Sequence, residues 1–359
     1  MIALALPARA EAHAPYVGRI SRGNDVAVGA LRIVETAPGT TVLAGPHGLV
    51  AIDHDPATDL VGDVILVVPA AGRVERLIRH GSMHNSLLVT ERCDQLCVMC
   101  SQPPKKTHDD RFAFFEEACL LADRDAVIGI TGGEPTLFKD ALLAMIERVL
   151  EARPDLAFHV LTNGQHFDAT DAERLAQSAY RRVQWGIPLY ADDPETHDTI
   201  VGKPGAFARL EDSLATLACA GAGIELRTVI LQSNVAILPG LARHIARRLP
   251  FVASWSIMQL ENVGFARNRW ASLRVNHLRD FSSIAGAIDQ AALHGIAVQL
   301  FNFPRCTVPP AYRDFAVASI SDWKQKFARA CANCRERAKC AGFFEWHPDA
   351  EIDESVTPL

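Results

Sequence analysis

Residues 87–101, LLVTERCDQLCVMCS, decide the fold and the chemistry of this chain. The stretch begins with Leu87, Leu88, Val89 and Thr90, a composition typical of a buried strand. Cys93, Cys97 and Cys100 follow in a Cys-x3-Cys-x2-Cys array. The sequence therefore predicts a strand that leads into a thiolate-rich loop.

Three thiolates this close together can hold one compact, soft metal centre. Cysteine sulfur selects iron–sulfur clusters, zinc or Cu(I) over hard cations. An electron-carrying [4Fe–4S] cluster takes four cysteine ligands, whereas the next cysteine here, Cys119, falls in a predicted helix. One iron would be left without a protein ligand and free to bind another molecule. The alternative is a zinc site or a chance group of cysteines.

Composition and charge limit the functions that are open to the chain. A length of 359 residues exceeds one typical domain, and 49% hydrophobic with 22% charged residues is ordinary for a well-cored protein. A net charge of −6 argues against nonspecific nucleic-acid binding. The first residues lack a basic region, and no apolar run approaches the length of about 18 residues that a membrane span needs. We expect a cytoplasmic protein with no nucleic-acid or membrane partner.

The remaining cysteines suggest a second metal centre. Nine cysteines at metal-like spacings favour reduced thiolates in a reducing compartment. A second set lies near the end of the sequence: Cys306, Cys331, Cys334 and Cys340. Four thiolates complete a closed site, which predicts one auxiliary [4Fe–4S] cluster, with structural zinc as the alternative. Cys119 and Cys219 are interpreted as buried small hydrophobic residues.

The pattern of strands and helices predicts three regions. Residues 1–82 are rich in Val, Ile, Gly and Thr and indicate a small β-rich domain. Its predicted strands are 26–34, 41–43, 49–52 and 62–68. In 83–301 strands alternate with helices, which predicts an α/β fold, a partial (β/α)6 barrel of the TIM type. The predicted strands are 86–90, 126–131, 157–162, 183–190, 224–231, 254–260 and 296–301, and the predicted helices are 111–124, 140–152, 171–180, 207–220, 237–248 and 278–294. Residues 302–359 lose this alternation and are expected to form a cap organised by metal.

Two motifs follow the second and third barrel strands, at the edge where such barrels carry their ligands. Thr131-Gly132-Gly133-Glu134-Pro135 combines glycines that permit close backbone approach with a carboxylate, and a cationic ammonium group is the natural partner. An ordinary βα turn is the alternative. Asn163, in Thr162-Asn163-Gly164, lies either in a plain turn or beside a ligand.

The fourth and fifth strands add charged residues. The segment DDPETHD at 192–198 has the composition of a helix N-terminus with an acidic first turn. Glu225 and Arg227 lie on one side of the fifth strand. Because an unpaired buried charge is costly, either they pair with each other or Arg227 reaches an anionic ligand.

Taken together, these motifs resemble the radical S-adenosylmethionine (SAM) superfamily. The resemblance implies that Cys93, Cys97 and Cys100 hold a [4Fe–4S] cluster whose open iron chelates SAM. It further implies that Gly132, Gly133 and Glu134 hold the methionyl amino group, that Asn163 lies beside the ribose, and that Arg227 reaches the SAM carboxylate. The C-terminal cysteines resemble the auxiliary-cluster regions called SPASM or twitch domains.

A closer resemblance is to the radical SAM maturases of the His-Xaa-Ser system, HxsC. It rests on the string from Asn85 to Cys93, the extension Cys100-Ser101-Gln102-Pro103-Pro104, and the cysteine-rich end. It implies cleavage of SAM to methionine and a 5′-deoxyadenosyl radical, which modifies a ribosomally made peptide by C–H abstraction. The implied partners are a second radical SAM maturase, a small accessory protein and an electron donor. The alternatives are a radical SAM enzyme of cofactor biosynthesis, acting on a small molecule, and a zinc-stabilised peptide-binding subunit.

Overall fold

The computed structural model describes residues 2–23 and 29–359. Its first part is a closed barrel with strand order β1-β5-β4-β3-β2-β6-β7. The strands are β1 (Ala5–Ala10), β2 (Tyr16–Ser21), β3 (Ala30–Ala37), β4 (Thr40–Gly45), β5 (Gly48–Asp53), β6 (Val64–Val68) and β7 (Arg73–Ile78). The predicted β-rich region is confirmed, although the prediction missed β1, β2 and β7. Residues 26–28 of the predicted strand 26–34 lie outside the described residues.

The second part is a parallel sheet of seven strands in sequence order, with the first and last at its edges. The strands are β8 (Asn85–Thr90), β9 (Val127–Gly132), β10 (Ala157–Leu161), β11 (Val183–Pro188), β12 (Gly223–Val229), β13 (Ser254–Met258) and β14 (Ala297–Phe301). The helices between them are α1 (Phe112–Leu120), α2 (Lys139–Ala152), α3 (Ala172–Leu175), α4 (Pro194–Val201), α5 (Ala206–Cys219), α6 (Leu238–Arg248), α7 (Phe265–Asn268), α8 (Trp270–Leu273) and α9 (Ser282–Leu293). The predicted α/β partial barrel is confirmed, with β14 as a seventh strand.

Strand β6 joins the barrel to the rest of the molecule. Its residues Ile65 and Val67 belong to the core inside the barrel. Val64 and Leu66 alternate with them and belong to the main core, together with Phe115 of α1. A strand that is buried on both faces consists of consecutive apolar residues, and β6 has this composition. The barrel therefore shares a hydrophobic core with the α/β part.

The seven-stranded sheet has one apolar face and one polar face. The residues of the apolar face, among them Trp185 and Trp255, pack in the main core with the helices. The opposite face is lined mainly by small and polar residues: Ser86, Gly129, His159, Gln184, Gly186, Glu225, Arg227, Ser254, Ser256 and Gln299. Closed barrels fill this position with bulky aliphatic side chains. The opposite face of this sheet instead carries small and polar side chains.

The C-terminal part consists of short 3-10 turns, the strand pair β15 (Gln325–Lys326) and β16 (Phe343–Phe344), and helix α10 (Asp349–Ser355). The predicted loss of alternation is confirmed, whereas the domain boundaries at 82 and 301 stay predictions. Cys119 is buried as predicted, but Cys219 is exposed, because it is the last residue of α5. None of the described helices has the length and apolar character to cross a membrane.

Candidate active site

The cysteine loop, residues 91–104, begins where β8 ends and is fixed by hydrogen bonds of the backbone. The amide of Leu96 donates to the carbonyl of Val201 at the end of α4, at 3.1 Å. The amide of Phe265, at the start of α7, donates to the carbonyl of Cys100 at 2.9 Å. The loop therefore lies between two helix ends and is held there by hydrogen bonds of the chain's own backbone.

The three cysteine thiols of this loop are partly buried, and Cys93 and Cys100 lie near enough to Cys97 to affect its pKa. Burial raises the pKa of the Cys97 thiol to about 12, with further contributions from Cys100 and Cys93. Burial likewise raises the pKa of Cys93 to about 11. These thiols are therefore protonated at neutral pH until a metal centre replaces their protons.

Gln95 supplies a test of whether the loop fits an iron–sulfur cluster. Its side chain is 2% exposed, and its amide oxygen lies 3.7 Å from the sulfur of Cys97. Its amide nitrogen has no hydrogen-bond partner among the described residues. A buried N–H donor needs an acceptor, and the sulfur atoms of a [4Fe–4S] cluster would supply one.

The described residues contain no group of three His, Cys, Asp or Glu side chains placed around a single metal ion. In a [4Fe–4S] cluster each cysteine binds a different iron, so its ligand sulfurs lie farther apart than those around one ion. The donor set of the cysteine loop, three thiols and an unpaired amide, fits such a cluster.

Gly132 and Gly133 lie directly against the cysteine loop. Gly132 has φ of 145°, and a Cβ atom there would come within 2.2 Å of the carbonyl oxygen of Thr90. A Cβ atom at Gly133 would come within 2.1 Å of the carbonyl oxygen of Arg92. The close approach predicted for these glycines therefore occurs with the chain's own backbone.

Glu134 is 0% exposed and accepts four hydrogen bonds. One carboxylate oxygen accepts from the amide and hydroxyl of Thr136, at 2.8 and 2.5 Å, and from the hydroxyl of Thr162 at 2.7 Å. The other accepts from the amide of Asn163 at 2.5 Å. Glu134 thus joins the turn after β9 to the turn after β10. The contact of Glu134 with the ammonium group of SAM remains a prediction.

Asn163 lies between this carboxylate and the cysteine loop. Its side-chain amide donates to Asp94 at 2.8 Å and lies 4.0 Å from the sulfur of Cys93. Asp94 also pairs with Lys203, and His166 Nε2 lies 3.3 Å from it. Burial alone would raise the pKa of the Asp94 carboxyl. Hydrogen bonds from His166, Lys203 and Asn163 outweigh the effect of burial and hold this pKa well below its usual range.

Asp94, His166 and Lys203 were not predicted as site residues. Asp94 occupies a variable position of the cysteine array, and His166 and Lys203 lie outside the motifs. The one signal available was that a charge in a half-buried loop needs a partner.

Glu225 is the centre of a charged group on the polar face of the sheet. Its carboxylate accepts from Arg227 at 2.9 Å and from Ser256 at 2.5 Å, and it pairs with His159 at 2.7 Å. Burial raises its pKa, but these partners outweigh it and lower the pKa to about 2. The guanidinium of Arg227 also stacks over Phe301, 5.5 Å from the ring centroid. Of the two alternatives for Arg227, the structure contains the pair with Glu225, and contact with a SAM carboxylate stays a prediction.

The four C-terminal cysteines line one cavity: Cys306, Cys331, Cys334 and Cys340. The sulfur of Cys340 accepts from the amides of Arg305 at 3.3 Å and Gly342 at 3.4 Å. The sulfur of Cys334 accepts from the amide of Leu359 at 3.5 Å. Sulfur atoms that accept backbone hydrogen bonds are suited to carry negative charge, as metal-bound thiolates do.

Comparisons with known proteins address the fold and the family. Residues 87–234 match the family model described as the radical SAM superfamily. A search of curated proteins finds no significant match. Among solved structures, Streptococcus suis SuiB bound to S-adenosylmethionine is 14% identical with a TM-score of 0.47, covering 60% of this chain and 49% of SuiB.

Two further solved structures are similar to part of the chain. The structure of anSMEcpe with bound AdoMet and the Cp18Cys peptide is 14% identical, with a TM-score of 0.42, over 60% of this chain and 62% of that protein. HydG, a maturase of the [FeFe]-hydrogenase, is 10% identical with a TM-score of 0.46, covering 65% of this chain and 56% of HydG. The chain thus matches between about half and two thirds of the length of these proteins. The family match thus shows that residues 87–234 are similar to the radical SAM superfamily domain.

Proposed function

We propose that this protein is a radical SAM enzyme that modifies a ribosomally made peptide of the His-Xaa-Ser repeat type. The observation that carries the proposal is the loop with Cys93, Cys97 and Cys100 at the carboxyl end of β8, inside the matched domain. The superfamily implies a [4Fe–4S] cluster and SAM. When bound, the reduced cluster supplies an electron to SAM, which gives methionine and a 5′-deoxyadenosyl radical.

The protein's own residues would bind and orient SAM. The turn that contains Gly132, Gly133 and Glu134 lies against the cysteine loop, so SAM held there is next to the cluster. Asn163 lies 4.0 Å from the sulfur of Cys93, and this position supports the proposal that it contacts the ribose. Arg227 uses one guanidinium nitrogen for Glu225 and can direct the others to a carboxylate.

The peptide substrate is supported by the resemblance to HxsC in residues 85–104. The polar face of the sheet offers hydroxyl, amide and charged groups, which suit the backbone and side chains of a peptide. We propose a second radical SAM maturase, a small accessory protein and an electron donor as partners. Cys306, Cys331, Cys334 and Cys340 would hold a second [4Fe–4S] cluster in the C-terminal region that we propose to begin near residue 302.

The first experiment measures iron, sulfide and zinc per chain after anaerobic purification, for the wild type and a Cys93/Cys97/Cys100→Ala variant. We expect about eight irons in the wild type and about four in the variant, because each [4Fe–4S] cluster holds four irons. Cys219→Ala is the matched control, because this cysteine is exposed and belongs to neither set. Production of 5′-deoxyadenosine by the triple variant would contradict the assignment of the cluster ligands.

A second experiment addresses the substrate. The protein and its reduced cluster are incubated with SAM and a peptide that contains His-Xaa-Ser repeats, and the peptide mass is measured. We expect a mass change that requires SAM and is absent with the triple variant. SAM cleavage without any change in such peptides, also after addition of the proposed partner maturase and accessory protein, would leave the radical chemistry and contradict this substrate class.

A further inference from the structure

We propose that Asp94 and Lys203 form a latch that sets the position of Asn163 relative to the cysteine loop and thereby controls SAM affinity. This inference rests on the proposed function and deepens it. Neither residue has to touch SAM or the cluster, so we regard both as positioning residues.

Three separate segments meet at the carboxylate of Asp94. Asp94 itself lies in the cysteine loop, between Cys93 and Cys97. Lys203 comes from the turn between α4 and α5, while Asn163 and His166 come from the segment after β10. The side chains of Asp94 and Lys203 are only 24% and 20% exposed, so water screens their attraction less than it screens a surface ion pair.

Asn163 is held at both its main chain and its side chain. Its backbone amide donates to Glu134, in the turn after β9. Its side-chain amide donates to Asp94, and its side-chain oxygen accepts from the amide of Gln165 at 3.1 Å. The orientation of the Asn163 side chain therefore depends on where the Asp94 carboxylate lies. A shift of that carboxylate would move Asn163 but would leave the link to Glu134 intact.

Lys203 supplies the countercharge that keeps Asp94 in this position. Without the ammonium group the half-buried carboxylate would be left with Asn163 and the partly exposed His166, and turning toward water would become favourable. The backbone hydrogen bonds that fix the cysteine loop do not involve the Lys203 side chain. Loss of Lys203 should therefore disturb SAM binding without removing the cluster.

The test compares Lys203→Met with Lys105→Met in the cluster-containing protein. Lys105 pairs with Glu91 on the exposed side of the same loop, at 2.7 Å, and is the matched control. For Lys203→Met we expect unchanged iron content, an unchanged EPR spectrum of the reduced cluster without SAM, and SAM binding that is about tenfold weaker. The change that SAM causes in the EPR spectrum should need correspondingly more SAM. Lys105→Met should match the wild type in all of these measurements.

Two further variants separate positioning from folding. Lys203→Arg keeps the positive charge and should retain most of the SAM affinity. The double variant Asp94→Asn/Lys203→Met should also bind SAM more weakly than the wild type. The factor by which its SAM affinity falls should be smaller than the product of the factors for the two single variants, because the two residues act as one unit.

The proposal of a latch is contradicted if Lys203→Met binds SAM as tightly as the wild type does. It is also contradicted if the weaker SAM binding of Lys203→Met is accompanied by loss of iron and a lower Tm. A wild type that carries no cluster or binds no SAM would overturn the proposed function as well, so the two failures are distinguishable.

Discussion

Glu134 is fully buried, and its carboxylate accepts four hydrogen bonds within the chain. Glu134→Gln replaces an acceptor oxygen with an NH2 group that would face an N–H or O–H donor. We expect a loss of about 1 to 3 kcal/mol in the free energy of unfolding, the usual cost of a buried donor without a partner. Urea titration of the cluster-free protein measures it.

The exposed Glu151, on α2, provides the control for this prediction. Glu151→Gln should leave the free energy of unfolding within about 0.5 kcal/mol of the wild type, as is usual for surface substitutions. Equal stability of Glu134→Gln and Glu151→Gln would mean that the four hydrogen bonds of Glu134 contribute nothing to the fold.

Single residues could be predicted from the sequence where their signal is local. Cys93, Cys97 and Cys100 are neighbours in the chain, so their spacing alone brings them together. Asp94 and Lys203 are 109 positions apart, and only the folded sheet brings them into contact. The same limit applies to Glu134 and Asn163, whose motifs were identified separately but whose contact was not.

Among the elements, α4 carries a prediction about pH. His197, on α4, is 1% exposed, and burial lowers its pKa to about 4, with Asp198 and Asp193 opposing this effect. The unfolded chain binds a proton near pH 6.5, so stability is lost as the pH falls from about 6.5 toward 4. Between pH 7 and pH 5 this histidine should account for about 2 kcal/mol of lost stability.

The variant His197→Asn isolates this effect. An asparagine oxygen can accept the amide of Tyr190, which donates to the ring of His197 at 3.4 Å, but it does not titrate. Burial also lowers the pKa of His277 and His347 to about 4, and both remain in the variant. The free energy of unfolding should therefore fall less steeply with acid in His197→Asn. Parallel curves for the two proteins would contradict the prediction.

The elements themselves were predictable to different degrees. All seven strands of the parallel sheet were predicted, because each is a short segment with apolar residues at alternate positions that lies between helical patterns. Strand β1, ALPARA, was missed because alanine and proline have low strand propensity. Strand β7, RVERLI, was missed because three of its six residues are charged, although Arg76 is buried in a pair with Asp63 at 2.5 Å.

At the scale of the whole molecule, the barrel and the α/β part share one hydrophobic core. Val64 and Leu66 of β6 complete the main core beside α1. Outside that core, Arg19 pairs with Asp123 at 2.6 Å, and Arg111 pairs with Glu75. The sequence predicts a small β-rich domain at residues 1–82, but strand patterns alone do not reveal which outer face of its strands is covered.

Removal of residues 1–82 should therefore expose apolar surface on α1. We expect the remaining chain to be mostly insoluble when expressed, or to bind the dye ANS strongly where it is soluble. Sedimentation of the lysate and ANS fluorescence measure this. A truncated chain that is soluble, monomeric and cooperatively folded would contradict a shared core.

The cysteine loop is held by hydrogen bonds from α4 and α7 and by the crossing of Gly132 and Gly133. If the proposed [4Fe–4S] cluster binds there, these contacts should keep the loop in place when the cluster is lost, unlike a zinc finger, which folds only when its metal binds. We therefore expect oxygen to remove the cluster and leave the chain folded. Iron, sulfide and a reductant should then restore the cluster in the same chain.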